Sequence, residues 1–220
     1  MITHTEENYL KAIFKIAERE KNAASTNSIA AVLNTSAASV SDMLKRLSEK
    51  ELINYKKYKG VTLTSQGSKI ATNLIRKHRL WEVFLVKKLK FSWDQVHDIA
   101  EQLEHIQSPE LVNRLDNYLD KPKFDPHGDP IPNSEGKFTI RNQNPLSDLT
   151  IGERAVVIGV KEHDTEFLQY LNSIGVKLGT EIEIQNIVKY DRSMKVKLDG
   201  GNQTVLTDQV SSNLLVKRAL

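Results

Sequence analysis

The 220-residue sequence contains no cysteine. This absence excludes disulfide bonds and thiolate metal sites, so any metal must be held by imidazole, carboxylate or amide groups. No apolar run approaches the roughly 20 residues of a membrane-spanning helix, and the first ten residues lack the basic and then apolar pattern of a secretory signal. We therefore expect a cytoplasmic protein with no membrane partner.

Excess charge of one sign is also scarce, since the formal net charge is only +3. Residues 1–64 hold ten Lys and Arg against seven Asp and Glu, and the charges of the remaining residues cancel. A net charge of this size does not by itself indicate a nucleic-acid partner, but its position near the N-terminus favours one there. With 39% hydrophobic and 27% charged residues, the composition is that of an ordinary globular protein.

The N-terminal pattern predicts a winged helix-turn-helix. Helical periodicity predicts a first helix over residues 6–20, capped by Thr5, then a short helix around Ile29 and a third helix after the turn at residues 34–38. Two β-like segments, 52–55 and 61–63, follow and are joined by a lysine-rich tip. A helical hairpin with a surface loop is the alternative interpretation.

Candidate DNA contacts follow from this order of elements. Small hydroxyl side chains at the start of the third helix can enter the major groove, which is about 12 Å wide. Lysines on the hairpin tip suit phosphate contacts. The candidate contacts are Thr26, Ser36, Ala37, Ser39, Ser41, Asp42, Lys45, Arg46, Lys56, Lys57 and Lys59.

The rest of the sequence predicts an α+β protein of several domains. A long helical segment to about Leu89 and two shorter helices have more apolar surface than they can bury among themselves, which indicates a homodimer. Five of the six prolines lie in residues 121–147, a pattern typical of a linker. β-like segments then predict a small barrel. The expected domains are 1–64 (DNA-binding), 65–121 (helical, metal-binding and dimerising), 122–147 (linker) and 148–220 (barrel).

Two groups of residues have side chains that bind metals. At about 100° of rotation per residue, one helical stripe would carry four of them, and a second helix has two at i, i+4 spacing. Imidazole with carboxylate suits Mn²⁺, Fe²⁺ or Zn²⁺. A solvated charged face is the alternative for any one residue, but the combination favours a metal. The four residues of the stripe are His97, Glu101, Glu104 and His105, and the pair on the other helix is His78 and Glu82.

Five segments, in this order, resemble the diphtheria-toxin-repressor family of metal-dependent transcriptional repressors. They are TEENYLKAIF, NTSAASVSDMLKRLSEKELI, RKHRLWEVFL, VHDIAEQLEH and the linker segment PHGDPIP. The resemblance covers essentially the whole chain. It implies a C-terminal SH3-like (FeoA-type) domain and a homodimer that is activated by metal, binds a palindromic DNA operator and represses metal-uptake genes.

The resemblance also implies two metal sites. The ancillary site would hold His78, Glu82 and His97, completed from the barrel by His163, Asp164 or Glu166. The primary site would hold Glu101, Glu104 and His105, completed from the first helix by Asn8, with Glu6 or Glu7 as alternatives.

Three positions bear on the identity of the metal. Glu101 stands where iron-responsive members have cysteine, which favours Mn²⁺ over Fe²⁺. Asn8 departs from the family, which has a carboxylate or methionine there. Lys11 stands where some manganese-responsive members place a second carboxylate, so we do not expect a two-metal cluster of that type.

Two other functions would use the same residues. A metal-independent winged-helix regulator would use the His/Glu stripe structurally, and a metallohydrolase would use it for catalysis. The sequence has no HExxH motif, nucleophile elbow or phosphate-binding loop. We therefore expect a regulator and not an enzyme.

Overall fold

A computed structural model describes residues 2–56 and 60–219. The helices are α1 (His4–Glu20), α2 (Thr26–Val32), α3 (Ala37–Glu49), α4 (Ser65–Lys87), α5 (His97–Leu103), α6 (Pro109–Tyr118), α7 (Thr165–Ser173) and α8 (Asp208–Asn213). The strands are β1 (Ile53–Lys56), β2 (Gly60–Leu63), β3 (Asn144–Pro145), β4 (Arg154–Val160), β5 (Glu181–Ile187), β6 (Met194–Leu198), β7 (Asn202–Leu206) and β8 (Leu214–Arg218). The predicted α+β class is confirmed.

The N-terminal elements form around one apolar core. Helices α1, α2 and α3 and the antiparallel pair β1–β2 surround fully buried side chains such as Leu10, Ile13 and Leu44. Helix α1 begins one residue before the predicted cap Thr5. Its N-cap is Thr3, whose hydroxyl accepts from the Glu6 amide while the Glu6 carboxylate accepts from the Thr3 amide. This reciprocal pair satisfies two amides that the helix itself leaves unpaired.

The C-terminal strands form a six-stranded sheet in the order β3-β8-β4-β5-β6-β7, with every pair antiparallel. The predicted strands are present, and β3, β8 and α8 add to them. Alternate side chains of the strands enter a core that includes Val157, Ile182 and Val196. Because apolar residues alternate along these strands, the sequence pattern predicts β structure for this part of the chain.

The chain forms two compact units, each made of several stretches of sequence. The first comprises residues 1–78, 101–109 and 132–138, and the second comprises residues 79–100, 110–131 and 139–220. Helix α4 therefore contributes its first part to one unit and its last part to the other. Among the helices in the described ranges, none is both long and apolar enough to cross a membrane.

Candidate metal centre and nucleic-acid interface

A lysine ammonium lies among predicted metal ligands in the first unit. Lys11 Nζ is 2.7 and 2.9 Å from the two carboxylate oxygens of Glu104 and 3.3 Å from Glu101 Oε1. His78 Nδ1 lies 2.6 Å from Glu104 Oε2 and 3.4 Å from the ammonium. Glu104 is fully buried and Lys11 is 5% exposed. We call Lys11, His78, Glu101 and Glu104 the Lys11 cluster.

The remaining predicted ligands of the first unit are engaged elsewhere. His105 Nδ1 is 2.7 Å from Glu7 Oε2, and Gln107 donates to Glu7 Oε1 at 2.8 Å. Glu7, one of the two alternatives to Asn8, is thus the α1 carboxylate that meets His105. The Asn8 side-chain oxygen is buried and accepts no hydrogen bond from the described residues.

The charges around Glu104 are nearly balanced. Burial alone would raise the pKa of Glu104, but the hydrogen bond from His78 and the charge of Lys11 outweigh it and hold that pKa below its usual value. A second lysine, Lys77, is 3% exposed, and burial lowers its pKa against the opposing pull of Glu7 and Glu104. Two ammonium groups therefore face three carboxylates, those of Glu7, Glu101 and Glu104. The Lys11 ammonium already lies against the oxygens that a divalent cation would need, so the arrangement does not fit a metal.

The prediction that four ligands share one helical stripe is wrong. Helix α5 ends at Leu103, and Glu104 and His105 lie in the turn that follows. The turn lets Glu104 reach Lys11 while His105 reaches Glu7. His97 belongs to the second unit, and Glu101, Glu104 and His105 belong to the first.

A second cluster of metal-binding side chains lies within the second unit. One ligand atom each from Glu82, Asp125 and His127 falls within 4.8 Å of the others, and all three residues are buried. The Glu82 carboxylate lies 3.7 Å from His127 Nδ1 and 3.6 Å from His97 Nδ1. The ring of His163 stacks on that of His127 at 4.7 Å. We call these five residues the His127 cluster.

One ring nitrogen of His127 is held by a backbone carbonyl. His127 Nε2 lies 2.8 Å from the carbonyl oxygen of Trp93, to which it can only donate. The buried Nδ1 has no hydrogen-bond partner within the described part of the chain. A histidine that donates one N–H to a backbone carbonyl and presents its other nitrogen to carboxylates is arranged as metal-binding histidines are.

The carboxylates of this cluster are held by ion pairs and by protons. Arg79 is 2.6 Å from Asp129 and 3.5 Å from Asp125, and the charge of Arg141 acts on the same two carboxylates. Burial raises the pKa of Asp125, and the charges of Glu82 and Asp129 raise it further. Burial would lower the pKa of His127, but Glu82 and Asp125 outweigh it and raise that pKa to about 9. The cluster therefore holds protons that a bound metal would displace.

Sequence reasoning missed Asp125 and His127. Both lie in the segment 122–147, which was interpreted as a linker, yet they are only 5% and 1% exposed. A sequence signal was available, because the proline-rich segment contains an aspartate and a histidine two residues apart. The backbone of His127 is fixed by a bond from the Val160 amide to its carbonyl, at 3.0 Å.

The three barrel candidates separate in the structure. His163 is half-buried against His127. Asp164 is instead the N-cap of α7 and accepts from the amides of Glu166 and Phe167 at 2.9 and 3.2 Å. Glu166 is exposed in the first turn of that helix.

Most of the predicted DNA-reading residues lie on α3 or at its N-cap. Ser36 is the N-cap, and its hydroxyl accepts from the Ser39 amide at 3.1 Å. Ser36, Ala37, Ser39, Asp42, Lys45 and Arg46 are exposed, whereas Thr26 on α2 and Ser41 are half-buried. Ser41 donates to the carbonyl of Ala37, and Lys45 pairs with Asp42 at 3.3 Å. Lys57 and Lys59 lie outside the described residues, as does the side chain of Lys56.

Three family models match the chain in succession. Residues 1–61 match "Iron dependent repressor, N-terminal DNA binding domain", and residues 64–133 match "Iron dependent repressor, metal binding and dimerisation domain". Residues 144–218 match the "FeoA domain". The matched residues include α3, both clusters and the six-stranded sheet.

Individual proteins are similar over most of their length. A diphtheria toxin repressor of Corynebacterium glutamicum is 29% identical over 99% of this chain and 97% of its own. The iron-dependent repressor IdeR of Mycobacterium tuberculosis is 33% identical over 84% of this chain and 85% of its own. A manganese-dependent transcriptional repressor in complex with manganese superposes with a TM-score of 0.87 at 32% identity, covering 97% of this chain and 99% of the other.

Proposed function

Since the chain belongs to the diphtheria-toxin-repressor family of metal-dependent, DNA-binding transcriptional repressors, we propose that a divalent cation in the His127 cluster controls its binding to operator DNA. The observation that carries this proposal is the arrangement of His127. Its Nε2 is held by the Trp93 carbonyl, and its buried Nδ1 lies 3.7 Å from the Glu82 carboxylate. Glu82, Asp125 and His127 would hold the metal, with His97 and His163 beside them.

Mn²⁺ is the ion that we propose, ahead of Fe²⁺. The donors of the cluster are carboxylate oxygens and imidazole nitrogens, and the chain has no thiol. Oxygen-rich sites suit manganese, whereas softer ions gain most from sulfur. The similarity to a manganese-dependent repressor supports the same choice.

The DNA partner is a duplex with two half-sites, bound by a homodimer. Helix α3 presents Ser36, Ser39 and Arg46 on an exposed face, which suits entry into the major groove. Two copies related by a two-fold axis would read a palindrome whose half-sites are about 34 Å apart. Repression of metal-uptake genes would follow from occupation of such operators when the cation is abundant.

A titration of operator binding with Mn²⁺ tests this function. DNA selected from a random library by the Mn²⁺-loaded protein supplies the duplex, and fluorescence anisotropy reports its binding. We expect wild type to bind only with Mn²⁺, and Glu82→Gln and His127→Ala to need at least about tenfold more Mn²⁺. His4→Ala, a change at an exposed histidine, is the matched control. Equal binding in chelator and in Mn²⁺ would show instead a metal-independent regulator.

A further inference from the structure

The geometry points to Lys11 as a tethered cation that takes the place of a metal ion in the Lys11 cluster, so that α1 is bound to Glu104 without metal. The inference rests on the proposed function in one respect: metal control is then assigned to the His127 cluster. It concerns three groups that the sequence pattern assigns to a metal, namely His78, Glu101 and Glu104.

The contacts of Lys11 are those of a cation in a donor site. Its ammonium lies within 3.4 Å of three carboxylate oxygens and one imidazole nitrogen, drawn from two separate stretches of chain. Both oxygens of Glu104 are within 2.9 Å of it. A metal ion would need the same lone pairs, so the ammonium and the metal exclude each other.

Burial makes this pairing obligatory. Glu104 is fully buried, and a carboxylate in that position requires a compensating charge and hydrogen bonds. Lys11 supplies a charge that cannot dissociate, because it is covalently part of α1. An ion pair with a free cation would depend on the cation concentration, whereas this pair does not.

The two clusters differ in the way that this inference requires. In the first unit the charges of Lys11 and Lys77 oppose those of Glu7, Glu101 and Glu104. In the second unit Arg79 pairs with Asp125 and Asp129, and the charge of Arg141 acts on the same two carboxylates. In the first arrangement an ammonium already lies against the donor oxygens, whereas in the second the ligand atoms of Glu82, Asp125 and His127 lie within 4.8 Å of one another.

The test counts Mn²⁺ ions per chain by electron paramagnetic resonance of free Mn²⁺, with the full-length protein at pH 7.5. We expect Lys11→Met, which keeps the length of the side chain and removes its charge, to bind one Mn²⁺ more than wild type. Lys50→Met is the matched control, because Lys50 pairs with Glu6 of the same helix at 2.6 Å but outside the cluster. The control should keep the wild-type number.

Thermal unfolding gives a second readout. In chelator, Lys11→Met should melt below wild type by roughly 6–15 °C, because Glu104 loses its counter-charge. Saturating Mn²⁺ should restore most of that loss. If Lys11→Met fails to fold, Glu104→Gln decides: it should leave the wild-type Mn²⁺ number unchanged.

Two results would overturn the inference. One is an unchanged Mn²⁺ number in a folded Lys11→Met protein, and the other is the loss of one Mn²⁺ from wild type on Glu104→Gln. Failure of the proposed function is separate, since it would show as no loss of Mn²⁺ in His127→Ala. The difference between Lys11→Met and wild type can be read in either case.

Discussion

At the scale of residues, the protonation of His127 makes the stability of the folded protein depend on pH. Its pKa is raised from 6.5 to about 9 in the folded protein, so the folded state holds this proton more tightly than the unfolded chain does. The stabilisation is complete below about pH 6.5 and is lost as the pH rises through 9. Asp125, whose pKa is also raised, acts in the same direction.

The metal-free protein should therefore become less stable between pH 6.5 and 9, by an amount on the order of 3 kcal/mol. Thermal melts in chelator measure this, and Mn²⁺ should reverse the trend because the metal takes the place of the protons. His127→Gln should flatten the profile, while His4→Gln should not. Parallel profiles for wild type and His127→Gln would remove His127 as the source.

Gly128 fixes the position of the histidine before it. Its φ is +92°, and a Cβ there would overlap the carbonyl oxygen of Ile158 and the Cα of Gly159. Gly128→Ala should lower the free energy of unfolding by about 2 kcal/mol or more and weaken Mn²⁺ binding, because the loop must move.

Gly200→Ala is the control for Gly128→Ala, because it tests the cost of a positive φ without a steric overlap. Gly200 has φ +72° but no described atom within 4 Å of its would-be Cβ, so the cost should stay near 1 kcal/mol and Mn²⁺ binding should not change. Urea unfolding and Mn²⁺ titration of both variants provide the measurement. Equal losses of stability in the two variants would show that the contact with Ile158 is unimportant.

At the scale of residues, the sequence predicts site residues that lie close together along the chain and not those that only tertiary packing brings together. Glu82 and His97 were found from helical spacing, and the structure brings them to 3.6 Å. Asp125 and His127 were not found, because their meeting with Glu82 depends on tertiary packing of a proline-rich segment. Lys11 was noted as a departure from the family, but its pairing with Glu104, 93 residues away, cannot be read from any local pattern.

At the scale of elements, the exposed face of α3 predicts a particular contact with DNA. Arg46 is exposed in the last turn of the helix, and a phosphate contact from it would release about one counterion. Arg46→Ala should reduce the slope of log K against log salt by about one and weaken all DNA sequences alike. Lys195→Ala on β6 is the control. An unchanged slope would place Arg46 away from the phosphates.

Ser36 should contribute to the stability of helix α3. As the N-cap of α3 it satisfies the Ser39 amide, and Ser36→Ala should cost about 1 kcal/mol of unfolding free energy. Ser36→Asp keeps an acceptor and should restore stability, yet it places a negative charge against DNA and should weaken binding. Urea unfolding and anisotropy measure the two effects; a stable Ser36→Asp variant with wild-type affinity would place the cap outside the interface.

The elements were predicted well where periodicity is local. Helices α1 to α3 and the strands β4, β5 and β6 follow from apolar spacing alone. Ends were predicted less well: α1 is capped by Thr3 instead of Thr5, and α5 stops at Leu103. Both ends are set by particular hydrogen bonds, which side-chain periodicity does not encode.

At the scale of the whole molecule, exposed apolar side chains indicate which surface joins two copies. Helix α6 buries Val112 and Leu115 but leaves Leu111 and Tyr118 exposed, the latter by 59%. Leu89 and Phe91, which follow α4, are exposed as well. The matched family model describes residues 64–133 as a metal binding and dimerisation domain, so these apolar side chains are the surface that a second copy should cover.

Tyr118→Asp should therefore convert the dimer into a monomer, because the carboxylate would be buried without a partner. Operator affinity should fall by at least about tenfold, since a monomer reads one half-site and loses the effective concentration of the second. Light scattering gives the mass and anisotropy gives the affinity. Tyr190→Asp, at a residue 98% exposed between β5 and β6, is the control and should remain dimeric. A dimeric Tyr118→Asp protein would exclude this face of α6 from the interface, and the two reading helices would then have to be spaced by another surface.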